Sequence, residues 1–321
     1  MATYKEIHGI KVQYRDSDAT AIEGDVWYNS STGLLKMYSA VGAWATTNAM
    51  VDDRAALGSF GTQTAAGAVG GSPRETKTEI YNGSTWTEVG DINTARNYNE
   101  ASGLTTAALC FGGGVGGSPW ATASSEEFNG TSWTEGNAMQ AVGSIFAGFG
   151  IQTASIAATG SPTGGDAISQ RCESYDGTNW AEVGDVNTAR MYVKGGGTQT
   201  SGIIGPGSTV PGTKIGNVEQ WNGNSWTEVA DVNGVRAAYG MSKVGANTSA
   251  LIFGGNAPAN TTLTEEWNGT AWSELADCTT GYGEGAGAGT GSLALKLGGT
   301  PSPMTTEEWT YGASVETVAF D

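Results

Sequence analysis

The chain has 321 residues, 51 of them Gly, and only 15% are charged, yet 32 acidic against 15 basic groups leave a formal net charge of −17. Lys and Arg must replace phosphate counterions on nucleic acid, so this balance argues against such a partner; it fits a particle that repels its own kind and anionic surfaces. One histidine, His8, and three cysteines, Cys110, Cys172 and Cys278, supply neither a disulfide framework nor a His-rich metal site.

The opening Met-Ala-Thr-Tyr-Lys-Glu lacks the features of a secretory signal, and no apolar run approaches the ~20 residues a membrane span needs. Neither export nor membrane insertion is expected. Within residues 1–49, Gly24-Asp-Val-Trp27-Tyr-Asn-Ser-Ser-Thr-Gly33-Leu-Leu-Lys-Met-Tyr38 reads as strand, Asn/Ser/Gly turn and strand. Trp44 follows, ten residues before Arg54.

From about residue 50 the chain repeats itself. An aromatic–Asn/Asp–Gly–x–x–Trp hexapeptide ends at Trp86, Trp133, Trp180, Trp226 and Trp272, at intervals of 46 or 47 residues. Asn-Gly between strand-like runs marks a hairpin turn, because both residues tolerate positive φ. Ten residues after the Trp stands Arg96, Arg190 or Arg236, the interval that also links Trp44 to Arg54; Gly143 and Tyr282 fill the two remaining positions. Ahead of the hexapeptides lie apolar runs ending in a Gly pair, as at Gly70-Gly71, Gly112-Gly113, Gly254-Gly255 and Gly298-Gly299. A sixth copy has Glu-Glu-Trp309 but Ser314 in place of the second Trp.

Each copy reads as four short β segments, in the second copy 96–102, 106–111, 124–128 and 132–135, with no helical period. A four-stranded unit repeating every 42 to 47 residues is the arithmetic of a propeller blade, which buries its faces only against neighbours. The expected fold is therefore all-β: a six-bladed β-propeller over residues 50–321 preceded by an N-terminal β-hairpin arm, residues 1–49. Seven blades is the alternative, with residues 25–49 supplying most of the extra one. Trp44 either completes a blade and closes the ring or belongs to an attachment module, and the two are compatible.

The diglycine after an apolar strand, the Glu-rich strand ending in an aromatic, the hexapeptide Trp and the Arg that follows resemble the kelch repeat over about residues 50–321. The hairpin at Gly24–Tyr38 resembles a short β motif of bacteriophage tail and fibre proteins. Together these resemblances imply a virion component of a tailed phage: a non-enzymatic tail or fibre appendage, made in the host cytoplasm. Its loops 112–122, 160–167, 205–213 and 256–262 would display contacts to a host-surface glycan. Its arm would dock to other virion proteins, with a homo-oligomer on the particle. The alternatives are a decoration protein with purely structural contacts and a polysaccharide-degrading propeller.

No catalytic residue, metal site or cofactor is assigned. The hexapeptide Trp residues are expected to pack between blades, where a large aromatic fills what a Gly-rich sheet lacks. Arg54, Arg96, Arg190 and Arg236 are the candidate ligand contacts, near one mouth of the channel, where guanidinium groups can hold an anion; the competing reading pairs each with Asp91, Asp185 or Asp231 nearby. Trp120, in the Gly/Pro-rich loop after Gly117, is the candidate exposed contact. The pairs Glu126-Glu127, Glu265-Glu266 and Glu307-Glu308 point to opposite sheet faces, so neither member can act with the other, and they are expected to solubilise strand edges. Cys110, after an apolar strand, is expected to be a buried thiol.

Overall fold

The computed structural model describes residues 12–18, 25–164, 167–210, 212–301 and 304–318; His8 lies outside them. Among the described residues there is no helix, and so none long and apolar enough to cross a membrane. The chain divides into two units, Trp44–Trp309 and Met1–Ala43 with Thr310–Asp321. The boundary thus falls six residues earlier than the repeats alone indicate, and the last residues group with the arm.

The larger unit is propeller-like, built from four-stranded antiparallel sheets that follow one another along the chain. The sheet of the second copy is typical, with strands Glu100–Leu104, Ala107–Phe111, Ser125–Phe128 and Trp133–Glu135 in that spatial order. The first strand starts four residues later than expected. Tyr98 just before it stands at φ 52°, outside the β region, so an extended strand cannot begin at Arg96.

The hexapeptides are the third-to-fourth-strand hairpins. Phe128 pairs with Trp133, Tyr175 with Trp180 and Trp221 with Trp226, and the glycines between them have φ of 91° to 93°. The Asn129 side-chain oxygen accepts the N–H groups of Thr131 and Ser132, which fixes the turn. As expected, the hexapeptide Trp residues pack against the preceding sheet. Trp133 lies 6.2 Å from Phe60, and its Nε1 donates to Thr78 Oγ1 at 2.9 Å.

The last sheet of this unit closes across the chain. Its strands Ala286–Gly289, Leu293–Leu297 and Thr306–Thr317 are followed in space by Leu34–Thr46, from the other end of the sequence. Trp44 stands where the hexapeptide Trp stands elsewhere: its Nε1 donates to Thr264 Oγ1 at 2.9 Å and its ring lies 4.7 Å from Phe253. It replaces the Trp that the sixth copy lacks.

In the smaller unit Val26–Asn29 pairs antiparallel with the start of Leu34–Thr46, and Gln13–Arg15 adds in parallel. The Asn29 side-chain oxygen accepts the N–H groups of Ser31 and Thr32 in the turn. Trp27 is fully buried under Arg15, whose guanidinium lies 5.1 Å from the ring and pairs with Asp25 at 2.7 Å. The expected strand–turn–strand of Gly24–Tyr38 is present over its described part.

Candidate functional site

Two residues beyond each Arg position the backbone turns left-handed at a non-glycine residue: Ala56, Tyr98, Ile145, Tyr192, Ala238 and Glu284 have φ between 51° and 59°. Each donates its N–H to the carbonyl of its counterpart one copy earlier, and Ala56 donates to Glu284, so six hydrogen bonds of 2.6 to 3.1 Å form a closed cycle. A left-handed Ala, Tyr or Ile costs of order 1 kcal/mol. The cycle offsets that cost by satisfying six N–H groups that no sheet pairs. One residue before each of these, the chain bridges to the start of a second-to-third-strand loop, at Ser72, Gly114, Ser161, Ser208, Asn256 and Thr300. The loops expected to carry function therefore surround this cycle.

Inside the cycle opens a narrow cavity with about 30 Å³ of space of its own, or about 340 Å³ counting the solvent at its mouth. Tyr98 and Tyr192 form one wall, their rings 6.0 Å apart and nearly perpendicular. Tyr98 OH donates to Glu284 Oε1 at 2.7 Å, and burial together with this carboxylate pushes the phenol pKa far up, so Tyr98 stays a donor. Trp120 joins from the second copy's loop, 6.1 Å from Tyr98. Its half-buried indole fits because Gly114 and Gly164 leave room: a Cβ at either would fall about 2.5 Å from the ring. Trp120 is thus built into the rim rather than held out from it.

Beneath the mouth, Glu100 binds two ammonium groups, Lys194 Nζ on one oxygen and Lys243 Nζ on the other. Lys243 also donates to Gly148 O at 2.9 Å. Four successive copies are joined there. Glu100 and Lys243 are buried, whereas the Lys194 side chain is 16% exposed toward the cavity it lines. Burial and the neighbouring Lys194 lower the pKa of Lys243 against the opposing pull of Glu100.

Arg54, Arg96, Arg190 and Arg236 stand elsewhere than expected for ligand contacts. All are 0% exposed, none lines the cavity, and they pair with Glu79, Glu126, Glu219 and Glu265 respectively, the last two at 2.8 and 2.7 Å. Their partners are therefore not Asp91, Asp185 and Asp231, and the first Glu of each Glu-Glu pair is a core residue, not a strand-edge solubiliser. The reason lies in the backbone. Each such Glu also accepts N–H groups of the segment entering its sheet, as Glu126 does from Asn93 at 2.6 Å and from its Nδ2 at 2.8 Å. A carboxylate buried for that purpose needs a cation beside it. Where the Arg is missing another cation substitutes: Arg171 reaches Glu173, and Lys296 reaches Glu307 from beneath the Tyr282 ring.

Cys110, Cys172 and Cys278 are free and buried, their thiols pushed up to about 12 by burial. Among the described residues no three His, Cys, Asp or Glu side chains gather so as to hold a metal ion. The site residues that sequence reasoning missed are Tyr98, Tyr192, Glu284, Glu100, Lys194 and Lys243. The first three share the position two beyond the Arg, the one signal that could have gathered them.

No protein-family model matches the chain, and no curated protein matches it in sequence. Among solved structures it is similar to that of YjhT, with a TM-score of 0.70 and 13% identity over 84% of this chain and 99% of that one. At this identity the likeness concerns the fold alone.

Proposed function

We propose that the chain is a non-enzymatic virion protein of a tailed bacteriophage, a six-bladed kelch-like propeller carried on an N-terminal β unit. That unit docks to other virion proteins, and the mouth of the propeller engages host-surface glycan. The closed cycle of six hydrogen bonds and the completion of the last sheet by Trp44 support six blades over seven.

One observation carries the binding role: Tyr98 and Tyr192 line a cavity, with Trp120 6.1 Å from Tyr98, beside a carboxylate and an ammonium that retain hydrogen-bonding capacity. Aromatic walls with a few convergent polar groups are the usual make-up of a small-ligand pocket. A glycosidase reading has less support. Glycosidases need two carboxylates flanking the scissile bond, and here both Glu100 oxygens are taken by ammonium groups while Glu284 accepts Tyr98.

The test is antibody labelling of purified virions together with saturable binding of the purified chain to host cells. Label on tails, with bound protein that competes with infection, is expected. Label on particles without cell binding would make this a structural decoration, and absence from particles would refute the virion role.

A further inference from the structure

Glu100 comes from the first strand of the second sheet, Lys194 precedes that of the fourth, Lys243 follows that of the fifth, and Gly148 lies in that of the third. Their contacts lie at the inner end of the cavity, which Glu100 and Lys194 line, so a ligand that enters at the mouth meets this cluster as a floor. The cavity above that floor is shallow, bounded by the short side chains of Ala56 and Ala238 and by the two tyrosines. A polymer cannot thread it.

Its polar groups are arranged along the depth. At the floor Lys194 Nζ spends one donor on Glu100, and an ammonium has three. At the rim Glu284 accepts one hydrogen bond, from Tyr98, whereas a carboxylate can accept about four. A second depression, about 750 Å³ with its open side, shares Tyr192, Ala238 and Glu284 with the mouth. Ser208, Lys214, Asn256 and Asn260 supply its polar lining.

We propose that the mouth takes the terminal residue of a glycan end-on, so that the protein counts chain ends and not polymer length. One saccharide ring sits across the mouth against Tyr98 and Tyr192, with hydroxyls donating to Glu284 and a single acceptor substituent reaching down toward Lys194 Nζ. The next residues leave through the depression past Asn256 and Asn260. The inference rests on the glycan reading of the same site and adds which part of the glycan is read.

The experiment uses the full chain, with methyl glycosides of glucose, galactose, mannose, N-acetylglucosamine and glucuronic acid, and with linear polymers of each sugar. Binding is read by saturation-transfer NMR and calorimetry. At least one methyl glycoside is expected to bind and to displace its polymer, and capping the polymer's terminal residue with a different sugar removes binding. Glu284→Gln and Tyr192→Leu are each expected to weaken binding about tenfold, the loss of roughly one hydrogen bond or one ring contact, with the urea midpoint unchanged. If polymers bind but no methyl glycoside displaces them, and Glu284→Gln binds like the parent, the end-on reading falls while the glycan reading stands. If neither monomers nor polymers bind, both fall.

Discussion

Replacing Arg96 by Met removes the cation that accompanies Glu126 and keeps most of the side-chain volume. Arg96 is 0% exposed, and its guanidinium also donates to Gly112 O at 3.2 Å and Ser124 O at 3.0 Å. Glu126 stays behind, bound to backbone N–H but without a countercharge, and breaking a buried pair on one side costs about 3–5 kcal/mol. The last sheet shows a remedy, since there Lys296 in the second strand serves Glu307 and Tyr282 holds the Arg position. Cys110 occupies the matching place in the second sheet, directly opposite Glu126 in register. Adding Cys110→Lys to Arg96→Met is therefore expected to restore about 2 kcal/mol or more, whereas Cys110→Lys alone crowds a second cation against Arg96 and destabilises. Urea unfolding of the four proteins, followed by Trp fluorescence at constant m-value, closes the double-mutant cycle. The reasoning is refuted if Arg96→Met costs under about 1 kcal/mol, or if Cys110→Lys has the same effect in both backgrounds to within about 0.5 kcal/mol.

Trp44→Ala is expected to cost about 3–5 kcal/mol, as much as Trp133→Ala, because both fill the same place in a sheet; a loss less than half that of Trp133→Ala would show that the last sheet stands without its N-terminal strand. Ala238, at φ 55°, is strained where Gly is not, so Ala238→Gly should leave stability unchanged or raise it by up to about 1 kcal/mol, while Ala101→Gly in the extended first strand of the second sheet lowers it. The three thiols, raised to about 12 by burial, stay protonated in the native state while the unfolded chain ionises them from about pH 9. The unfolded state then binds fewer protons, so stability present below pH 9 is lost as pH rises toward 12, by about 1.4 kcal/mol per thiol at pH 10. A Cys→Ala triple variant should show a shallower fall in urea midpoint between pH 8 and 10, and an unchanged slope would count against the burial account.

The hairpins and the Trp positions were legible because Asn-Gly and Trp carry strong local preferences and recur at a fixed interval. Trp44 could be placed by the same ten-residue spacing to Arg54. The partners of the arginines were not. Asp91 and Asp185 are near in sequence, whereas Glu126 lies 30 residues beyond Arg96 and is brought to it by a strand pairing. The left-handed positions escaped notice because Ala56, Tyr98, Ile145 and Glu284 share no chemistry; what they share is a backbone angle imposed by the cycle. The Glu100–Lys194–Lys243 cluster follows the repeat only in part. Glu100 and Lys194 share the position four residues after the Arg, with opposite charges, but Lys243 stands seven after it, so aligning the copies does not gather all three.

The cycle at Ala56, Tyr98, Ile145, Tyr192, Ala238 and Glu284 also acts as a tally. Near-identical stretches 46 or 47 residues apart invite unequal recombination, which adds or deletes whole copies of the coding repeat. A product with one copy fewer brings a donor and an acceptor together at the wrong curvature, and one copy more leaves a circle too wide to close. Drift in number is thereby penalised at the backbone, whatever the side chains have become, and the loops are free to diverge around a count that cannot.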